Sequence, residues 1–371
     1  MKSDDKDRPE SNTPGSSPNG RDVHDGQRRS LLKALLIGAV AATPLARAAW
    51  AGDAKTGASG AKDAPAPAGE PSTAPKTGTA RSTVFRGRRD KILSGEDRPD
   101  AALLAAALGA VVAGAGGESS PEAAFKRLFK PTDVVGIKVN CIAGKGMSPR
   151  PEVVGLIAKW LQDAGVPARN VVIWDRTERE LSHAGFELNR SGSGVRVIGT
   201  EGDYEEKERD WGPNASRFAR LLAEEMTALI NVGVLKDHGV AGVAAGMKNW
   251  YGAIENPRTC HGGRCAPYIP HLAAYPLIRN KLRLTVIDAL TAQCHGGPQR
   301  SPKWQWSYGS VLASTDPVAL DTVATRIIED RRKEVGLEPL ASENRAPVWL
   351  ADAAKLGLGE ADFSRIHVAD V

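Results

Sequence analysis

Residues 227–252, TALINVGVLKDHGVAGVAAGMKNWYG, place an apolar run ahead of Lys236, Asp237 and His238 and then a glycine-rich turn. The run 228–235 has the length and branched-residue content of a buried parallel strand. Gly239, Gly242 and Gly246 let backbone come close to a neighbour before a helix begins, and Lys248 sits in that helix. Taken alone, the segment equally fits an ordinary strand-to-helix crossover with a solvated basic tip, so the choice rests on the surrounding chain.

Outward from that stretch, apolar runs predict strands at 133–140, 170–174, 282–287 and 310–313. Amphipathic or capped segments predict helices at 151–164, 215–226 and 317–329, and the Ala/Gly-rich run 101–116 after Asp100 reads as a buried helix too short to span a membrane. Such alternation implies an α/β fold, a mostly parallel sheet with helices on both faces. Ligands in these folds bind outside the carboxyl ends of the strands. Past the five predicted strands come Asn140-Cys141, Asp175-Arg176, Lys236-Asp237-His238, Asp288 and Ser314-Thr315-Asp316. Five polar strand ends predict one shared ligand cleft, although Asp316 before Pro317 also reads as a helix cap.

The amino-terminal part has a different character. Gln27-Arg28-Arg29-Ser30-Leu31-Leu32-Lys33 sets paired arginines before the apolar run 34–45, and Ala46-Arg47-Ala48 offers a small-residue cleavage site. Residues 1–48 resemble a twin-arginine export signal, which makes the export machinery a partner and predicts a periplasmic or other extracytoplasmic location. The apolar run is shorter than the roughly 18 residues a span needs, so no transmembrane span is expected in the mature chain. Residues 49–82 are mostly Ala, Gly, Pro, Ser, Thr and Lys, cannot offset their ordering entropy by burial and read as a disordered linker. Residues 83–371 are then expected to form a single elaborated α/β domain. The formal charge is +5 without any basic run interleaved with aromatics, so nucleic acid is not an expected partner. No nucleophile elbow, phosphate loop or dinucleotide fingerprint occurs, and the acidic stretch 201–208 offers no carboxylate pair of the glycosidase kind.

Val135-Gly136-Ile137-Lys138-Val139-Asn140, the segment 235–251 with Lys248-Asn249, Val286-Ile287-Asp288-Ala289 and 314–321 (STDPVALD) together resemble the family catalogued as domain of unknown function 362, over about 133–371. That name implies no common activity. Some relatives carry iron-sulfur modules, and no ferredoxin-type cysteine run is present here. The spacing of His238 and Lys248 also resembles the nickel-pincer lactate racemases, where a catalytic His precedes by ten residues the Lys that holds the cofactor. Arg176 stands where those enzymes place their first catalytic His, so what carries over is the scaffold.

Four cysteines form a second constellation: Cys141, then Cys260-His261-Gly262-Gly263-Arg264-Cys265 and Cys294-His295-Gly296-Gly297. In an exported chain an even count fits disulfides. Thiolates with His261 and His295 equally fit a metal ion or an iron-sulfur cluster. These features predict an exported metal- or iron-sulfur-dependent protein. If it is an enzyme, an oxidoreductase or isomerase, it performs redox or proton-transfer chemistry on a small anionic ligand. His238 would act as acid or base, Lys236 and Lys248 would bind or polarise the anion, and Asn140, Asp175, Arg176 and Asp288 would orient it. A non-catalytic metal or cofactor carrier and a disulfide-bonded ligand-binding protein are the alternatives.

Overall fold

The computed structural model describes residues 82–93 and 98–371. The expected export signal, 1–48, lies outside the described residues, as does the linker at 49–82 except for Ser82, which opens the first strand.

In chain order, the first half contains β1 (Ser82–Arg88), α1 (Ala101–Gly116), α2 (Pro121–Leu128), β2 (Val135–Lys138), α3 (Pro151–Asp163), β3 (Val171–Asp175) and α4 (Glu178–Ala184). After them come β4 (Arg196–Gly199), the short strands β5 (Arg209–Asp210) and β6 (Ala215–Ser216), the long β7 (Ala228–His238) and its hairpin mate β8 (Gly242–Val243). The remainder holds α5 (Tyr268–Ala274), α6 (Pro276–Arg279), β9 (Leu282–Gln293), β10 (Gln305–Ser314), α7 (Pro317–Glu334), α8 (Trp349–Lys355) and β11 (Ile366–Asp370).

The central sheet has the order β11-β1-β10-β9-β7-β2-β3-β4. Along this order β10 runs antiparallel to its neighbours β1 and β9 and the other pairings are parallel, so the sheet is mostly parallel; the short β8 pairs antiparallel with β7 off this path. Strands β2, β7 and β9 are apolar on both faces because both faces are covered. On one face Ile137, Ile230 and Val286 pack with α1, α2 and α3. On the other, Trp174 and Leu229 pack with the segment around Trp250, α5 and α8, while Leu235 and Ile287 pack with α7. Helix α1 starts where Asp100 accepts the Leu103 N–H and ends at Gly117 in the left-handed region, φ 68°. Its small residues allow close contact: a Cβ on Gly114 would collide with the Phe85 ring of β1. No single helix among the described residues is long and apolar enough to cross a membrane.

Three expectations need correction. The helix expected at 215–226 is β6 followed by a single π turn, Leu221–Glu225. There Phe218 and Leu222 go into the core while Ala219 bonds across to Ala253, so tertiary pairing overrides helical periodicity. Strand β7 runs on through Lys236, Asp237 and His238, which pair with β9 and β8. Lastly, Ser314-Thr315-Asp316 is not on the rim. Ser314 pairs with Thr285 near the start of β9 because β10 is antiparallel, which puts its end at the opposite edge of the sheet. There Asp316 accepts the Val318 and Ala319 N–H groups as the cap of α7.

Candidate functional site

From β2 the chain proceeds to β3 and β4 on one side and then returns to place β7 on the other. The carboxyl ends of β2 and β7 therefore flank the point where strand order reverses, the usual crevice of such sheets. A cleft of about 210 Å³ opens there, lined among others by Lys138, Asn140, Asp175, Arg176, Glu180, Lys236, His238, Lys248, Tyr251, Arg258 and His261.

Strand β7 supplies one wall. Side chains alternate along a strand, so Lys236 and His238 share a side and Asp237 points away. Asp237 is committed to structure: Arg345 Nη1 lies 3.0 Å from its Oδ2, and the Gly297 N–H donates to Oδ1 at 2.8 Å. After the β7–β8 hairpin, residues Met247–Ala253 form a 3-10 helix that returns over the sheet. Gly233 makes this return possible, because a Cβ there would collide with the Ala245 carbonyl. The helix start is held by Asp321 of α7, whose two oxygens accept the Gly246 N–H at 2.6 Å and the Met247 N–H at 2.8 Å. Asp321 therefore positions Lys248 and Asn249, a role no local signal in STDPVALD gives away.

At the base of the cleft the charges are satisfied. Lys138, fully buried, donates to Asp175 Oδ1 at 2.6 Å, to the Val139 carbonyl at 2.6 Å and to Asn249 Oδ1 at 2.9 Å. Asp175 also accepts the N–H of Cys141 at 2.7 Å and of Arg176 at 2.8 Å. Gly252 lets this pair lie against backbone, since a Cβ would fall 2.6 Å from Lys138 Nζ. Lys138 and Asn249 were missed as site residues. The available signal was a lysine inside an apolar strand, since a lysine is almost never fully buried unless paired.

The mouth is different. Lys236 is 1% exposed and its Nζ has two neutral acceptors, Asn140 Oδ1 at 3.2 Å and the Met147 carbonyl at 3.3 Å. Lys248 is 8% exposed, with its Nζ 3.2 Å from His261 Nε2 and 4.1 Å from the centre of the Tyr251 ring. Neither lysine forms an ion pair among the described residues. Burial therefore pushes both ammonium groups down to about 8.

The histidines have assigned tautomers. His238 Nδ1 accepts the N–H groups of Val240 at 3.0 Å and Ala241 at 3.1 Å, so its proton sits on Nε2. Burial, then the nearby Lys248, His261, Lys236 and Arg345, lower His238 to about 2. That lowering keeps it neutral near pH 7, where it presents an N–H donor from Nε2. His261 lies 5.7 Å from it, ring to ring. Its Nδ1–H donates to the Pro257 carbonyl at 3.1 Å, leaving Nε2 to accept from Lys248. Burial, then Lys248, lowers His261 as well.

The structure thus brings together Asn140, Asp175, Arg176, Lys236, His238, Lys248 and His261. It takes Asp288 away: that carboxylate is wholly buried and binds Arg150, with the backbone N–H and Nη1 both at 3.0 Å. His295 is also elsewhere, against Trp304 and the guanidinium groups of Arg332 and Arg345.

The six expected metal ligands do not gather either. Cys141 lies in the core beneath α3, Cys260 and Cys265 in the core around Trp250, and Cys294 in the core beside α7. All four cysteines are buried and unbridged, which corrects the disulfide expectation. Burial raises the thiols of Cys141, Cys265 and Cys294. Among the described residues no group of three or more His, Cys, Asp or Glu side chains is arranged to hold a metal ion. The donors present do not fit a shared metal or iron-sulfur group.

No curated protein and no solved structure matches the chain, so they lend the lactate racemase resemblance no support. The model of the family described as "Domain of unknown function (DUF362)" matches residues 135–326, which hold β2, β3, β7, β9 and every residue placed at this cleft; the chain belongs to that family.

Proposed function

We propose that the chain is an enzyme that binds a small carboxylate-bearing molecule in the β2–β7 cleft and moves a proton on it. One observation carries the reading: Lys236 and Lys248 are both buried, both face the cleft and both lack an ion-pair partner among the described residues. Holding an ammonium group out of water without a counter-ion costs stability, and a bound anion would offset that cost. The cleft lining has five basic side chains, Lys138, Arg176, Lys236, Lys248 and Arg258, against two carboxylates, Asp175 and Glu180. Field focusing in such a recess favours an anion.

In this reading Lys236 spends two of its three hydrogens on Asn140 and Met147 and turns the third to the ligand. His238 donates Nε2–H to a ligand oxygen that gains charge, as a preorganised neutral donor. Lys248 and His261 form the proton-exchanging couple, because one is an ammonium lowered by burial and the other an imidazole with its lone pair turned to it. The export expectation is part of the proposal and rests on the sequence of residues 27–48.

The test is calorimetric titration with short mono- and dicarboxylates, alongside nuclear magnetic resonance of solvent deuterium entering the ligand. Binding should weaken roughly 10- to 100-fold in Lys236→Met, the loss expected for one charged hydrogen bond. His238→Ala should abolish deuterium entry with the fold intact. Binding that is indifferent to Lys236 would overturn the reading.

A further inference from the structure

We propose that Lys248 condenses with the carbonyl of a short 2-oxo carboxylate to form a protonated imine, an inference that rests on the anion-binding reading above. The geometry separates the two mouth lysines. Lys236 is anchored by two acceptors and stays a donor. Lys248 is anchored by one, the His261 imidazole, and otherwise lies on the Tyr251 ring with its Nζ in the cleft. A nucleophilic lysine needs a dry setting, neighbouring positive charge and a base to take its proton. Here those are the buried position, the Lys236 ammonium in the same cleft, and His261 Nε2 at 3.2 Å. The lowering of Lys248 to about 8 agrees, since roughly one amine in ten is then free at pH 7.

The step balances with groups already present. Lys248 passes a proton to His261 Nε2, and the amine lone pair attacks the carbonyl carbon while His238 Nε2–H supports the oxygen. The attack leaves the nitrogen positive and the oxygen negative, and one proton moves from nitrogen to oxygen to give the neutral carbinolamine; His261 then returns its proton to that hydroxyl, and water leaves as the nitrogen lone pair completes the C=N bond. One ammonium and one ketone give one protonated imine and one water, with no change of oxidation state. The ligand carboxylate stays on Lys236. The imine withdraws electrons from the neighbouring carbon, which makes a proton there removable. A cleft of about 210 Å³ suits a ligand of a few heavy atoms, below the usual range for drug-sized pockets.

Pyruvate and oxalate are the probes, one with a ketone and one without. The full chain is titrated with each by calorimetry, then incubated with pyruvate and sodium cyanoborohydride and mapped by mass spectrometry. Both probes should bind, and one reduced pyruvyl group per chain should appear on Lys248, suppressed by oxalate. Lys248→Arg, which keeps the cation, should still bind oxalate and form no adduct at residue 248. Pyruvate binding with no trapped product at Lys248 overturns the imine and leaves the anion-binding reading standing. Failure of both probes to bind overturns both. Adducts spread over surface lysines and insensitive to oxalate also overturn the imine.

Discussion

Lys138 and Lys248 line the same cleft and are both buried, yet Lys138 meets the Asp175 carboxylate and two further oxygens whereas Lys248 meets an imidazole and an aromatic face. The base of the cleft is a closed polar network and its mouth an open one. Nearby, the buried carboxylates of Asp288 and Asp237 are likewise satisfied, by Arg150 and Arg345. A satisfied pair fixes geometry and leaves no donor over, while a buried cation without a counter-ion leaves a site that a ligand completes.

The sharpest way to break this comparison is at the base. Asp175→Ala leaves Lys138 uncompensated and should destabilise the fold by about 3–5 kcal/mol, read from chemical denaturation. A loss below 1 kcal/mol would mean the network is not structural. At the mouth, the contrast appears as pH dependence. The folded-state value of Lys236, about 8, lies below its ordinary 10.5, so between those values the unfolded chain holds the extra proton and stability rises with pH. From pH 8 to 10.5 the wild type should gain roughly 3 kcal/mol relative to Lys236→Met, a comparison that cancels the other titrating groups. Parallel curves would show that Lys236 is not a desolvated cation.

A smaller effect is expected where the two regions are held together. Asp321→Asn keeps one acceptor but sets an amide against a backbone N–H, and should cost about 1–3 kcal/mol while weakening carboxylate binding through displacement of Lys248. Binding unaffected by this change would separate α7 from the site. The least change should come from titrating His238: with its value near 2 it stays neutral, so its imidazole carbon resonances should not shift between pH 5 and 8. A midpoint near 6.5 in that range would restore it as a proton-exchanging residue.

Local pattern made most of the sheet legible. The apolar runs fixed the positions of β2, β3 and β7, Asp100 and the Ala/Gly-rich run fixed α1, and Pro151 at the first turn fixed α3. Lys236, His238 and Lys248 were legible because glycines and charges follow a buried strand. Asp288 was misplaced because a strand end cannot be read from hydropathy: β9 continues to Gln293, and Asp288 lies within it. The cysteines were misread for the same kind of reason. Sequence shows their number and spacing, whereas the sheet places them in separate cores with Cys141 on one side of it and Cys260 and Cys265 on the other.

By itself the sequence determined strand-helix alternation, and with it the edge of the sheet where a ligand would lie, because hydrophobic periodicity and the strand-end rule are local properties. The direction of β10, the pairing that silences Lys138 and Asp175 and the clamp of Asp321 on the Lys248 turn were decided only by tertiary structure. Each depends on groups brought together from 34 to 111 positions apart, or on which way a strand enters the sheet, and no local pattern encodes either.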